Sequence, residues 1–291
     1  MSAEIFNTDC QIILKKIEDN SIDFTLTSPP YCIGKAYDTH TSIEGFIEIN
    51  KPIIEEVYKK TKIGGSICWQ VGHHVVDGEI VPLDIIVYNL FKELCPTVKL
   101  RNRIMWHFEH GANCQKRFSG RHETVLWFTK GDNYFYDLDA VRVKQKYPGK
   151  KHYKGDKKGE YSSNPKGKNP GDVWNIPNVK ANHIEKTAHP CQFPIALAQR
   201  LIKALCPENG IVLDPFMGSG TTGAAAIIEN RKFVGMELDE EYFKIANERI
   251  ELATNGFLKY RDIDKPIFDP AKAGSVARDP FINMDMLEIN K

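Results

Sequence analysis

The sequence predicts an α/β protein of Rossmann-like type, a mostly parallel twisted sheet with helices on both faces and one small basic insert. Three observations predict it. Short apolar runs of strand length alternate with stretches of helical periodicity at both ends of the chain. Two of those runs break into sharp turns, Thr27-Ser28-Pro29-Pro30-Tyr31 and Asp214-Pro215-Phe216-Met217-Gly218-Ser219-Gly220-Thr221-Thr222. Between them, from about residue 131 to 188, periodicity disappears and Lys, Gly, Asn, Pro and Tyr dominate.

Ile5-Phe6 reads as a strand, and Ile12, Ile13, Leu14 and Ile17 recur at helical spacing. Asp23-Phe24-Thr25-Leu26 is a short buried strand that must leave the sheet at Pro29-Pro30, because two prolines cannot continue a central strand. Residues 44–61 are helical, Gly64-Gly65 opens the strand Ser66–Val71, and a helix covers Leu83 to Leu94. Arg103–His107 and Glu123–Phe128 form an antiparallel pair joined by a Gly-rich loop. After the insert, a helix begins at Phe193-Pro194 and ends near Pro207. Strand Ile211–Asp214, a helix through Ile228, strand Phe233–Glu237 and helix Glu240 to Ala253 complete the alternation. Residues 1–131 and 188–262 therefore make one domain, 132–187 an insert and 263–291 a tail.

The bulk numbers agree with a soluble globular chain. Its 291 residues are 42% hydrophobic and 26% charged. No run approaches eighteen uninterrupted apolar residues, so no membrane span is expected. The N-terminus lacks a basic start followed by an apolar stretch, which places the protein in the cytoplasm. Cys10, Cys32, Cys68, Cys95, Cys114, Cys191 and Cys206 are scattered without a C-x-x-C pair, so neither a zinc site nor a disulfide framework is expected. Most should be buried small hydrophobes. Between Arg142 and Lys168 ten Lys/Arg stand against only Asp156 and Glu160. Such a stretch is either a solvated loop or the footprint of a polyanionic partner.

The second turn sits between an apolar strand and a small-residue helix. Its glycines let a ligand approach the backbone, and the helix N-terminus offers unpaired N–H groups. About twenty residues on, Glu237 ends the next strand, where Rossmann-like folds use an acid to accept from ribose hydroxyls. The spacing is not G-x-G-x-x-G and no G-K-[ST] follows. Asp214 would repel a pyrophosphate but favour a sulfonium, which points to S-adenosylmethionine.

In the first turn, Ser28 Oγ and the Pro29 carbonyl can each accept one N–H of an exocyclic amine and draw its nitrogen toward tetrahedral geometry. Proline fixes φ and brings no competing donor, as Pro29 and Pro30 require. Tyr31 offers a face for a flipped-out base. Together the two strings resemble the catalytic and cofactor motifs of bacterial amino-directed DNA methyltransferases. Because the catalytic motif comes first, the chain resembles their circularly permuted β group, from Ile5 to about Ala253.

The resemblance implies an S-adenosylmethionine-dependent methyltransferase fold, with S-adenosyl-L-methionine as cofactor and no metal. It places Asp9 and Cys10 beside the cofactor adenine. Thr27, Phe193, Pro194, Asp214, Pro215, Phe216, Gly218, Gly220, Thr221, Thr222, Glu237 and Leu238 complete the cofactor set. It makes residues 132–187 the target recognition region. Double-stranded DNA is the implied partner, contacted by Lys116, Arg117, Arg121, Lys150, Lys151, Lys157 and Lys158. A companion restriction endonuclease and a homodimer stay open. Ser28 tilts the target toward cytosine N4 over adenine N6, since Asp is usual there in adenine enzymes. Methylation of RNA or protein amides, and a non-catalytic DNA-binding protein on the same fold, are the remaining alternatives.

Overall fold

The computed structural model describes residues 2–31, 42–111 and 113–267. Cys32 and most of the tail from 263 to 291 lie outside the described residues. The strands are β1 Ala3–Asn7, β2 Ile22–Thr27, β3 Thr61–Val71, β4 His73–Val76, β5 Glu79–Pro82, β6 Val98–His107, β7 His122–Lys130, β8 Val173–Asn175, β9 Ile211–Asp214 and β10 Lys232–Glu237. The helices are α1 Cys10–Leu14, α2 Ile43–Lys60, α3 Leu83–Leu94, α4 Ile195–Leu205, α5 Thr221–Ile228 and α6 Glu240–Thr254.

Eight strands form one sheet in the order β1-β10-β9-β2-β3-β7-β6-β8, in which only β7 runs antiparallel to its neighbours. The sheet is α/β and mostly parallel, with helices on both faces, as the sequence predicts. The central strands are buried on both faces, which is why they read as apolar runs without alternation. One core lies on the α4–α5–α6 face, around Phe24, Trp106, Leu197 and Phe233. The other lies on the α1–α2–α3 face, where Trp69 meets the edge of Phe91 at 5.5 Å and donates to Asn50 Oδ1 at 3.1 Å.

The parallel strands β9 and β2 mark the point at which the order of winding along the sheet reverses. From β9 the crossover α5 leads to β10 on one side, while from β2 the crossover α2 leads to β3 on the other. A crevice must open at the C-terminal ends of strands diverging in this way. Both turns singled out in the sequence emerge there.

The structure adds elements that periodicity does not reveal. β4 and β5 form a hairpin across Asp77-Gly78, both at positive φ (49° and 85°), as a tight turn between strands requires. β8, inside the expected insert, joins the sheet edge beside β6 and buries Trp174. The helix expected around Ile12–Ile17 is only Cys10–Leu14, capped by Asp9 Oδ1 on the Gln11 N–H at 2.8 Å. Of the six described cysteines, four are buried, Cys114 is half-buried and Cys191 exposed. Among the described residues no helix is long and apolar enough to cross a membrane, and no group of three His, Cys, Asp or Glu could hold a metal ion.

Candidate active site

The crevice opens into a cavity of about 670 Å³. Its walls bring together, from segments far apart in sequence, the two turns and the segment preceding α4. Of the predicted residues, Asp9, Cys10, Ser28, Pro29, Pro30, Tyr31, Phe193, Pro215, Phe216, Gly218, Thr221, Glu237 and Leu238 line it. Thr27, Pro194, Asp214, Gly220 and Thr222 do not. They stand behind the wall and hold it in shape.

Asp214 is 1% exposed and accepts from the Thr27 hydroxyl at 2.6 Å and the Phe216 N–H at 3.1 Å. Thr222 donates to the Leu26 carbonyl at 3.3 Å. These bonds stitch the catalytic loop to the glycine turn. Burial pushes the Asp214 carboxyl up to about 7, against the pull of the Thr27 and Thr222 hydroxyls and the Phe216 N–H. Glu237 reaches across the glycine turn. Its Oε2 accepts from the Gly218 N–H at 2.8 Å and its Oε1 from the Asp239 N–H at 2.9 Å, leaving further lone pairs for a ligand. Burial raises its pKa too.

Gly220 shows why the turn needs glycine. It sits at φ +75°, and a Cβ there would come within 2.9 Å of Ala246 Cα on α6. The turn is also gripped from below. Buried Arg249 donates to the Ser219 carbonyl at 2.5 Å and to the Ser219 and Thr221 hydroxyls, both at 3.1 Å. Burial draws its pKa down to about 10. Pro194 starts α4 without a side-chain cap, and buried Glu185 supplies one by accepting from the Ile195 N–H at 2.8 Å. Its other oxygen accepts from the Arg261 N–H at 3.0 Å, so the residues just before the expected tail are tied to the core.

Behind Ser28 runs a chain of hydrogen bonds. The Ser28 hydroxyl donates to Tyr31 Oη at 3.3 Å, the Tyr31 hydroxyl to Gln70 Oε1 at 3.1 Å, and the Gln70 amide to Glu123 Oε2. Burial raises the Tyr31 phenol well above its ordinary value, so it stays protonated. Burial also lifts Glu123 up to about 7, opposed by hydrogen bonds from Gln70 and Tyr31. Tyr31 is 8% exposed, its ring lining the cavity and its hydroxyl turned inward.

Cavity chemistry is one-sided. Asp9, Glu237, Asp239 and Glu240 line it, and no described lysine or arginine does. His189, at the same wall, is held down to about 4 chiefly by burial and is neutral at neutral pH. Arg249, Gln70, Glu123, Glu185 and His189 were not among the site residues predicted from sequence. Among them only His189, four residues ahead of the predicted Phe193, lies near a cofactor residue read from the sequence.

The predicted DNA-contacting residues lie apart from the cavity wall. Lys150, Lys151, Lys157 and Lys158 are exposed on a small antiparallel excursion closed by the Lys151–Tyr161 bridge, with the Lys151 ammonium 5.2 Å from the Tyr161 ring centre. Lys116, Arg117 and Arg121 occupy the loop between β6 and β7, beside the fully exposed Phe118. Arg121 is engaged locally, donating to the Gly120 carbonyl and Asn113 Oδ1, both at 2.9 Å.

The chain is similar to characterised proteins over most of its length. Residues 22–248 match the N6/N4 DNA methylase family. The chain is 48% identical over 244 residues to the type II methyltransferase M.BglII of Bacillus subtilis, covering 84% of this chain and 67% of the relative. It is 32% identical over 257 residues to the DNA adenine methyltransferase YhdJ of Escherichia coli K12, covering 86% and 83%. Among solved structures it is similar in fold to the cytosine-N4-specific PvuII DNA methyltransferase, with TM-score 0.69, 20% identity, and 90% and 94% of the two chains covered. The M1.HpyAVI–SAM complex superposes with TM-score 0.57 at 23% identity, covering 86% and 100%. The chain belongs to the N6/N4 DNA methylase family and is a DNA methyltransferase.

Proposed function

We propose that this chain moves a methyl group to the exocyclic amine of a base flipped out of double-stranded DNA, most of all cytosine N4, as the modification partner of a restriction endonuclease. S-adenosyl-L-methionine is the methyl donor. The observation that carries the reading is one cavity faced by Ser28-Pro29 on one side and by the glycine turn with Glu237 on the other. Walls that, among the described residues, bear carboxylates and no lysine or arginine suit a ligand with a sulfonium and an ammonium better than a di- or triphosphate. Glu237 and the glycine turn would hold the ribose end, with Phe193, Pro215 and Phe216 as apolar walls. When bound, the sulfonium supplies an electrophilic methyl group and leaves as a neutral thioether, and the methylated amine then gives up one proton to solvent.

The residues of the chain do the rest. Ser28 Oγ and the Pro29 carbonyl accept the two N–H bonds of the amine, localising a lone pair that conjugation otherwise spreads into the ring. The Thr27–Asp214 bond holds that loop in register with the glycine turn, so the work is mainly positioning. The Tyr31 ring is the surface against which the base rests.

Ser28 at the head of the loop supports cytosine N4. Adenine N6 is the second reading, supported by the 32% identity to an adenine methyltransferase. Mass spectrometry of nucleosides from DNA of cells expressing the chain, followed by methylation-aware sequencing, tests this. N4-methylcytosine in one short sequence context is the expected result, and N6-methyladenine alone would overturn the base assignment.

Two further outcomes are expected. Glu237→Ala should weaken S-adenosylmethionine binding by about tenfold to a hundredfold, the value of one or two hydrogen bonds to an ionised group. Calorimetric titration checks it, and an unchanged Kd would remove Glu237 from the cofactor site. Replacing Lys150, Lys151, Lys157 and Lys158 together by alanine should reduce the slope of log K against log salt by about 3–4 for DNA binding. An unaltered slope would take that excursion out of the DNA interface.

A further inference from the structure

The hydrogen-bond chain behind Ser28 has a direction, and chemistry sets it. Burial lifts Glu123 to about 7, so above that pH it is an ionised carboxylate that only accepts, and Gln70 must turn its amide NH₂ toward Glu123 Oε2, as it does. Gln70 Oε1 is thereby left facing Tyr31, whose hydroxyl donates to it. A phenol has one proton, and whether Gln70 Oε1 or Glu123 itself takes it, the Tyr31 oxygen is left to accept the Ser28 hydroxyl. The one proton of Ser28 is then directed away from the cavity that its side chain lines. Its remaining lone pairs are what a donor amine in the cavity would meet.

We propose that Glu123, acting through Gln70 and Tyr31, is a positioning residue that makes Ser28 a hydrogen-bond acceptor toward the substrate amine. The inference rests on the amine-directed reading above and names what orients its central residue. The packing around the chain supports it. Gly72 lies so close that a side chain there would come 3.3 Å from Tyr31 Cε2 and 3.4 Å from Glu123 Oε1, so the backbone at Gly72 packs tightly against both Tyr31 and Glu123. Without a fixed terminus, a hydroxyl–hydroxyl–amide chain has two proton orders of similar energy. In the reversed order Tyr31 donates to Ser28, and Ser28 turns its own proton toward the cavity. A hydroxyl proton would then confront the N–H of the amine.

A substitution that keeps shape but removes the pure acceptor isolates this effect. Glu123→Gln can present either end of its amide to Gln70, so the chain loses its direction. At pH 8 its kcat is expected to fall about 10- to 100-fold. KM for a DNA duplex and Kd for S-adenosylmethionine should stay within about twofold, as the chain touches Ser28 only through its proton. Gln70→Glu sets two carboxylates against each other and should lose kcat as well. The double exchange, Gln70→Glu with Glu123→Gln, again places a carboxylate as acceptor beside Tyr31 and should recover most of the rate. A residue needed only for packing would not give this rescue.

Wild-type kcat in Glu123→Gln, or a double variant no faster than either single one, would overturn the proposal. Ser28→Ala measured alongside separates the two levels. If it keeps its activity, the amine-acceptor reading itself fails; if it is inactive while Glu123→Gln is fully active, only the orienting role of Glu123 fails.

Discussion

Replacing Ser28 by alanine is expected to lower kcat by about 10²–10³-fold while leaving S-adenosylmethionine and DNA affinity within about twofold. The magnitude is that of removing one preorganised hydrogen-bonding group from a reacting centre. Selectivity for kcat follows from where the interaction acts. The amine donates to Ser28 in the bound base as well, but only its rehybridising nitrogen gains from a well-placed acceptor, so the loss falls on the transition state. Ser28 makes no bond to the glycine turn; that duty falls to Thr27 and Thr222. The loop therefore keeps its position in the alanine variant. Single-turnover transfer of labelled methyl groups to a duplex, with separate cofactor titration, measures both quantities. A rate near wild type would exclude the mechanism, and a loss confined to KM would recast Ser28 as a binding residue.

The largest effect on stability should come from Gly220. Gly220→Ala must place an L residue at φ +75°, costing about 1–2 kcal/mol, and push its Cβ against Ala246 backbone at 2.9 Å. Overpacking against a helix adds about 1–3 kcal/mol. Gly256 offers an internal control. Its φ is +74°, yet nothing lies within 4 Å of a Cβ built on it. Gly256→Ala carries the dihedral cost alone, so the difference between the two variants isolates the contact of the glycine turn with α6. Denaturant unfolding should show Gly220→Ala destabilised by about 2–5 kcal/mol in all and the more damaged of the pair. Equal losses would mean that the turn does not need its close approach to α6.

Much of this architecture is legible in the sequence because the central strands are buried on both faces and each ends in a chemically distinctive turn. Ser28 to Tyr31 and Gly218 to Glu237 can be read from residue type and spacing, and the structure gathers most of them round one cavity. The reading misses what depends on partners far along the chain. Arg249 is one charged residue on a helix until the fold brings it under Ser219 and Thr221. Glu123 and Gln70 lie 53 residues apart on neighbouring antiparallel strands, and no local pattern links them. β8 is three residues with one buried side chain, too short for periodicity to register. The β4–β5 hairpin is a different case. Asp77-Gly78 is a strong turn signal, and the flanking Val75, Val76 and Ile80 were available to reveal it.

The strand order also has a consequence for the time at which the centre can exist. β1, the first strand to be synthesised, pairs only with β10, made more than two hundred residues later, and β2 waits almost as long for β9. Loop closure over such separations is slow, and until it occurs β1 has no place in the sheet. A ribosome-bound chain that has completed the Ser28 loop, the insert and even α4 still has no glycine turn beside that loop. Catalytic competence thus arrives late and at once, when residues 211–237 slide between two strands that have stood apart, and a nascent fragment cannot modify DNA.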